Sequence, residues 1–87
     1  MDVEFDPAKD AANIAKHGVS LARAADVEIH AVLPDPRFTG EVRYQAFGLL
    51  DDIPHCLAFT MRGPTMRAIS LRRARTKEFM RYTARVD

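Results

Sequence analysis

Cysteine is nearly absent. Cys56 is the only one in 87 residues, so no disulfide can form within the chain. A small domain without such staples points to a reducing compartment. No stretch approaches the roughly 18 consecutive apolar residues of a membrane span, and the opening MDVEFDPAKD lacks the basic-then-apolar pattern of a secretory signal. The expectation is a soluble, cytoplasmic protein with no membrane partner. Repeats, linkers and low-complexity stretches are also missing. The length leaves room for one core, which implies a single domain over residues 1–87. His30 and His55 lack ligand-spaced partners, and the Asp51-Asp52 pair reads as turn chemistry, so neither a metal nor another cofactor is expected.

What is present is an apolar fraction of 47%, which suits a compact fold, and a charge that is unevenly placed. Residues 1–60 hold five basic and ten acidic side chains, a balance of −5; residues 61–87 hold eight basic and two acidic, a balance of +6. The net +1 hides that division. A basic third is a footprint for a polyanion, and equally the pattern of an ordinary solvated surface. A domain this small is marginally stable alone, so a partner that binds its folded form would stabilise it.

Val3-Glu4-Phe5 alternates like a short strand. Asp6-Pro7 then carries helix-start chemistry: an acceptor for free N–H groups, and a proline suited to the first helical position. This helix should run to about Lys16, with Ala8, Ala11, Ala12 and Ala15 allowing close packing, and stop at Gly18. Ser20 restarts a second helix, Leu21 to about Val32, whose Leu21, Ala25, Ile29 and Val32 share one face; Pro34 and Pro36 end it. Segments 42–50, 56–62 and 66–73 read as strands separated by turns at 51–54 and 63–65. A last helix over about Thr76–Ala84 packs Phe79, Tyr82 or Thr83, and Val86. The order is β-α-α-β-β-β-α. It describes an α+β fold with a short N-terminal strand, two helices, a three-stranded antiparallel meander and a C-terminal helix.

Arg62 and Arg72 fall on the polar parity of adjacent strands and share one face if those strands form a hairpin; Arg43, Arg67 and Arg73 add donors nearby. Arginine grips phosphate through a planar fork and stays charged at any physiological pH. Several forks on a rigid sheet suit an RNA backbone. RNA also carries its own nucleophile, the ribose 2′-hydroxyl, so the protein need only align it, stabilise charge and move protons. Glu78, Tyr82, His17 and Lys16 are candidates for the proton work, and no spacing selects a pair among them.

In order, the chain shows Phe5-Asp6, Lys9, Asn13, Lys16-His17-Gly18-Val19, Arg43, Gly48, Thr60, Arg62-Gly63, Arg67, Ile69-Ser70, Arg72, Ala74, Glu78 and Tyr82. Over nearly its whole length this resembles the BrnT family of toxins. The resemblance implies a RelE-like fold and a type II toxin, an endoribonuclease that cleaves RNA and inhibits translation. It also implies a cognate BrnA-like antitoxin with a ribbon-helix-helix part, through which the pair contacts operator DNA. Carried onto this chain, it places catalysis on Arg62, Arg67 and Arg72, supported by Glu78 and Tyr82. The matching Arg43, Thr60 and Ser70 then take RNA phosphate contacts, and the reading of charge and position adds Lys16, His17 and Arg73 to them. Two departures stand out: the segment 34–40 is shorter than in the family, and Val42 replaces the polar residue that often precedes Arg43.

Bland roles compete for several of these residues. His17 at a helix end interacts favourably with the helix dipole, and Glu78 does the same in a first turn. Cys56 reads as a small strand residue and Phe79 as core. A non-catalytic module that binds nucleic acid or antitoxin in promoter autoregulation is the alternative reading, since no acid–base pair is compulsory.

Overall fold

A computed structural model describes residues 2–37 and 39–84. In chain order the elements are strand β1 (Val3–Glu4), helix α1 (Pro7–His17), a 3-10 helix (Leu21–Asp26), strands β2 (Glu28–Pro34), β3 (Tyr44–Leu50), β4 (Ile53–Arg62) and β5 (Thr65–Arg73), and helix α2 (Thr76–Thr83). The strands make one five-stranded sheet in the order β1-β5-β4-β3-β2, antiparallel except for the parallel β1–β5 pair.

The α1 boundaries follow the local chemistry. Asp6 Oδ1 accepts from the Ala8 amide at 2.8 Å, and the Gly18 amide, at a left-handed φ of 73°, donates to the Ile14 carbonyl at 2.8 Å. The four alanines expected to pack this helix are exposed, however, and its one buried residue is Asn13. Asn13 Nδ2 donates to the carbonyls of Val19 (2.8 Å) and Leu71 (2.9 Å), and its Oδ1 accepts from the Leu71 amide (3.1 Å). β1 covers only Met66 and Arg67 of the outer side of β5. Farther along, one side-chain amide does the work of a neighbouring strand.

The second helix is a correction. Residues 21–26 form the 3-10 helix and 28–34 a strand, so the meander has four strands rather than three. Of the expected helical face, Ala25, Ile29 (43% exposed) and Val32 (47% exposed) lie outside, while Ala24, Val27 and Ala31 are buried. The same apolar spacing fits either period. The choice was made by β3, whose outer hydrogen-bonding edge needs a partner, and by β-branched residues that suit a pleated surface. Gly48 permits the pairing: a Cβ there would lie 2.2 Å from the Glu28 carbonyl oxygen. The β3–β4 turn is also tighter than expected. It needs only Asp51 and Asp52, both at positive φ (53° and 63°), and Pro54 lies within β4. The last helix matches its expected span; Val86 lies outside the described residues.

The two sheet faces differ. One packs Ala46, Leu57, Phe59, Ala68 and Leu71 against Leu21, Ala24 and Val27, forming the main core. The other carries Ala31, Phe47 and Cys56 in cross-strand register, all buried, with α2 above them. There the Tyr82 ring stacks on Phe47 at 4.7 Å, and Phe79 meets His30 at 5.9 Å.

Replacing Asn13 by alanine would leave the buried amide and carbonyl of Leu71 and the partly buried carbonyl of Val19 without this partner. The expected loss is about 2–4 kcal/mol, read as a lower midpoint in urea unfolding with an unchanged slope. An unchanged midpoint would remove Asn13 from its role at the sheet edge.

Candidate nucleic-acid interface

β5 carries an irregularity that decides where the arginines point. Ala58 on β4 faces Ser70, yet the next residue, Phe59, faces Ala68, so Ile69 is an extra residue bulged out of β5. Strict alternation back from Arg72 would put Arg67 on the core face. The bulge instead sets Arg67 opposite Thr60, on the face shared by Cys56, Arg72 and Arg62. Arg62, Arg67 and Arg72 therefore share one sheet face.

They do not share one site. Arg72 pairs across from Cys56, and Arg62 lies six residues farther along β4, about 20 Å away at the usual rise of a strand. At the far end Arg62 pairs with Glu41 at 3.6 Å, and Arg67 with Glu4 at 3.3 Å. Thr60 is buried and donates its hydroxyl to the Val42 carbonyl at 2.7 Å, tying the approach to β3 against β4. Arg43 is half-buried and helps hold the Asp35 carboxyl below its ordinary range, after the larger effect of the hydrogen bond from Arg37.

At the near end the chain assembles an open cleft of about 830 Å³ between the end of β5 and α2. Arg72, Arg73, Arg75, Lys77, Glu78, Arg81 and Tyr82 line it. Five of these seven side chains are cationic. Arg72 grips Glu78 with both ends of its fork, Nη1 to Oε1 at 3.0 Å and Nη2 to Oε2 at 3.2 Å, and Nη1 also reaches the Arg73 carbonyl at 3.2 Å. Of the five guanidinium hydrogens, the one on Nε and the second on Nη2 have no partner among the described residues. The hydrogen bond from Arg72 is the main reason the Glu78 carboxyl lies below its usual range; burial opposes it. Glu78 likewise raises the Arg72 guanidinium. The Tyr82 ring is fixed by Phe47, with the Arg81 guanidinium 6.0 Å from its centre.

The remaining predicted residues gather elsewhere. Lys16, His17 and Ser70 line a shallow groove along the seam between α1 and β5. His17 also joins Arg73 in a smaller hollow on the core side of the sheet, together with His55, a residue that sequence spacing did not single out. Cys56 is buried, and desolvation pushes its thiol up, which disfavours the thiolate. Among the described residues, no group of three or more His, Cys, Asp or Glu side chains is placed to hold a metal ion, and no helix is long and apolar enough to cross a membrane.

An α+β protein of this size, with a cation-walled cleft over one end of an antiparallel sheet, has the form of a polyanion-handling module. The comparisons are more specific. The family described as the ribonuclease toxin BrnT of type II toxin–antitoxin systems matches residues 5–78. A 1.1 Å crystal structure of the Brucella abortus ribonuclease toxin BrnT is similar at a TM-score of 0.70 and 28% identity, over 87% of this chain and 99% of that one. Nothing among curated proteins matches. The chain belongs to the BrnT family of type II toxins, and that membership implies an antitoxin partner.

The Arg72–Glu78 pair has a defined pH signature. A carboxyl held low contributes stability above the ordinary carboxylate value and loses it as pH falls through the depressed one. Glu78→Gln should therefore lower neutral-pH stability slightly, by less than about 1 kcal/mol because both side chains are about a third exposed. The difference from wild type should vanish on acidification from about pH 5 to pH 2, as measured by thermal melts across that range.

Proposed function

We propose that this chain is a metal-independent endoribonuclease whose substrate lies in the cleft between β5 and α2. The observation that carries the reading is Arg72: a guanidinium locked in orientation by Glu78, with two donors to spare, in a cleft with four other cations. Such a group is preorganised to bind a phosphate oxygen and gains strength as charge builds there.

In the proposed reaction the ribose 2′-oxygen attacks the adjacent phosphorus. The 2′-O–P bond forms as the P–O5′ bond breaks, giving a 2′,3′-cyclic phosphate and a 5′-hydroxyl end. The 2′-hydroxyl proton leaves to a base and the departing 5′-oxygen gains one. Arg72 stabilises the crowded phosphate, with Arg75, Lys77 and Arg81 drawing the backbone into place. Glu78, kept ionised by Arg72, holds that guanidinium in orientation. It is the cleft's one carboxylate among the described residues to accept the 2′-hydroxyl proton, a weak base because the same hydrogen bonds hold it low. Tyr82 lines the same cleft. Arg62 and Arg67, at the far end of the same face, would contact the strand away from the scissile bond, with Arg43 and Thr60 shaping that end.

RNA cleavage then arrests translation, and a BrnA-like ribbon-helix-helix antitoxin neutralises it, the pair reaching operator DNA through the antitoxin. One observation favours the second reading, a non-catalytic binding module: Arg72 neutralises Glu78, so the cleft holds no carboxylate free of a cation among the described residues.

Arg72→Ala should reduce cleavage of a defined RNA on the order of 100-fold, with chelator leaving wild-type activity intact and product ends analysed for cyclic phosphate. Arg62→Ala, about 20 Å off, should weaken binding more than turnover. Intact RNA with wild-type protein, bound with a steep salt dependence, would select the binding module instead.

A further inference from the structure

The hollow on the core side of the sheet has no part in the reaction above. It encloses about 190 Å³ between the end of α1 and the β3–β4 turn, and among the described residues five charged or titratable side chains wall it. These are His17 of α1, Arg23 of the 3-10 helix, Asp51 of the turn, His55 of β4 and Arg73 of β5.

Two of the five cancel. Arg23 donates to Asp51 at 2.8 Å and to Asp26 at 3.0 Å, which keeps Asp51 ionised and occupied. Arg73 has no ion-pair partner among the described residues. It is the cross-strand partner of His55, so their side chains rise together from one face.

His55 is 5% exposed, and its Nδ1 lies 2.8 Å from the Ile53 carbonyl oxygen. A carbonyl only accepts, so Nδ1 carries a hydrogen and Nε2 is the nitrogen left for a ligand. No buried side-chain nitrogen or oxygen among the described residues lacks a partner, so the unpaired Nε2 opens to the hollow.

Arg73 and two imidazoles thus converge on a space whose only carboxylate among the described residues is already bound. The Arg73 fork, with a ring N–H from each imidazole in its charged form, presents donors from three elements, which suit the several oxygens of a phosphate group better than the planar pair of a carboxylate. Arg73 also borders the cleft beside α2, so a chain lying in that cleft passes it on the way to the hollow. We propose that the hollow is a second phosphate subsite, which takes a backbone phosphate of the RNA strand held in the cleft. The strand's identity rests on the reading of the cleft; the phosphate chemistry rests on the hollow's own residues.

The test uses the intact wild-type protein and the imidazole Hε1 resonances, with His30 on β2 as internal control. Inorganic phosphate should shift His17 and His55 saturably and leave His30 in place. Arg73→Ala, a change at an exposed position, should weaken phosphate binding on the order of tenfold. A short 2′-O-methyl RNA, which cannot be cleaved, should move the same two resonances. If inorganic phosphate moves them and the RNA does not, the hollow binds free anion and the RNA subsite is overturned. If neither moves them, the phosphate site is overturned altogether. Failure of the cleft reading shows separately, as full cleavage by Arg72→Ala while both histidine shifts persist.

Discussion

One side-chain amide holds the architecture together. A five-stranded sheet has two open edges, and the exposed backbone of β5 beyond the short β1 pairing would otherwise stay unpaired beside α1. Asn13 closes it by offering Leu71 both a donor and an acceptor, as another strand would. Because an amide reaches only a few ångströms, this contact fixes the height of α1 along β5. It brings Lys16 and His17 to the seam with Ser70, and the end of α1 to the β3–β4 turn. Asp10 continues the same arrangement by accepting from the Ser20 hydroxyl and the Leu21 amide, which seats the 3-10 helix on the core.

With α1 and the 3-10 helix committed to one face, the other is left to α2 and the arginines. The helix covers only the part carrying Ala31, Phe47 and Cys56, anchored by Phe79 and Tyr82. Cations at its start and along β5 remain at the rim. Opposing charges then do selective work. Arg62, Arg67 and Arg72 each meet a glutamate, but only Arg72 does so with both ends of its fork, and only that pair lies inside a cleft of substantial volume. The exposed pairs contribute little to stability. Their effect is on orientation, which matters where a guanidinium must meet a phosphate at a set angle.

Much of this was legible from local chemistry. Asp6-Pro7 and Gly18 mark the ends of α1 because caps are decided by a few neighbouring atoms. A turn starting at Asp51-Asp52 and the span of α2 are read for the same reason, though the turn takes two residues where four were expected. The polar parity of Arg62 and Arg72 holds in the structure, and Arg72, Glu78 and Tyr82 line one cleft. Residues 21–32 misled because a spacing of three to four residues over a short apolar run satisfies a helix, or a 3-10 turn followed by a bulged strand. His55 gave no spacing signal, since its neighbours in the hollow come from four other elements.

By itself, then, the sequence determined where the chain turns, which segments are amphipathic, that positive charge collects in its last third, and which family it resembles. Those properties depend on residues close together along the chain. Tertiary structure alone decided that residues 28–34 would serve as a strand, because β3 had an edge to satisfy. It decided that a single bulge at Ile69 would bring Arg67 to the face of Arg72, while strand length kept them in separate sites. It also turned the arginine-rich end into a cleft and a hollow on opposite faces, meeting at Arg73. Register and edge satisfaction are set by residues distant in sequence, and only folding brings them together.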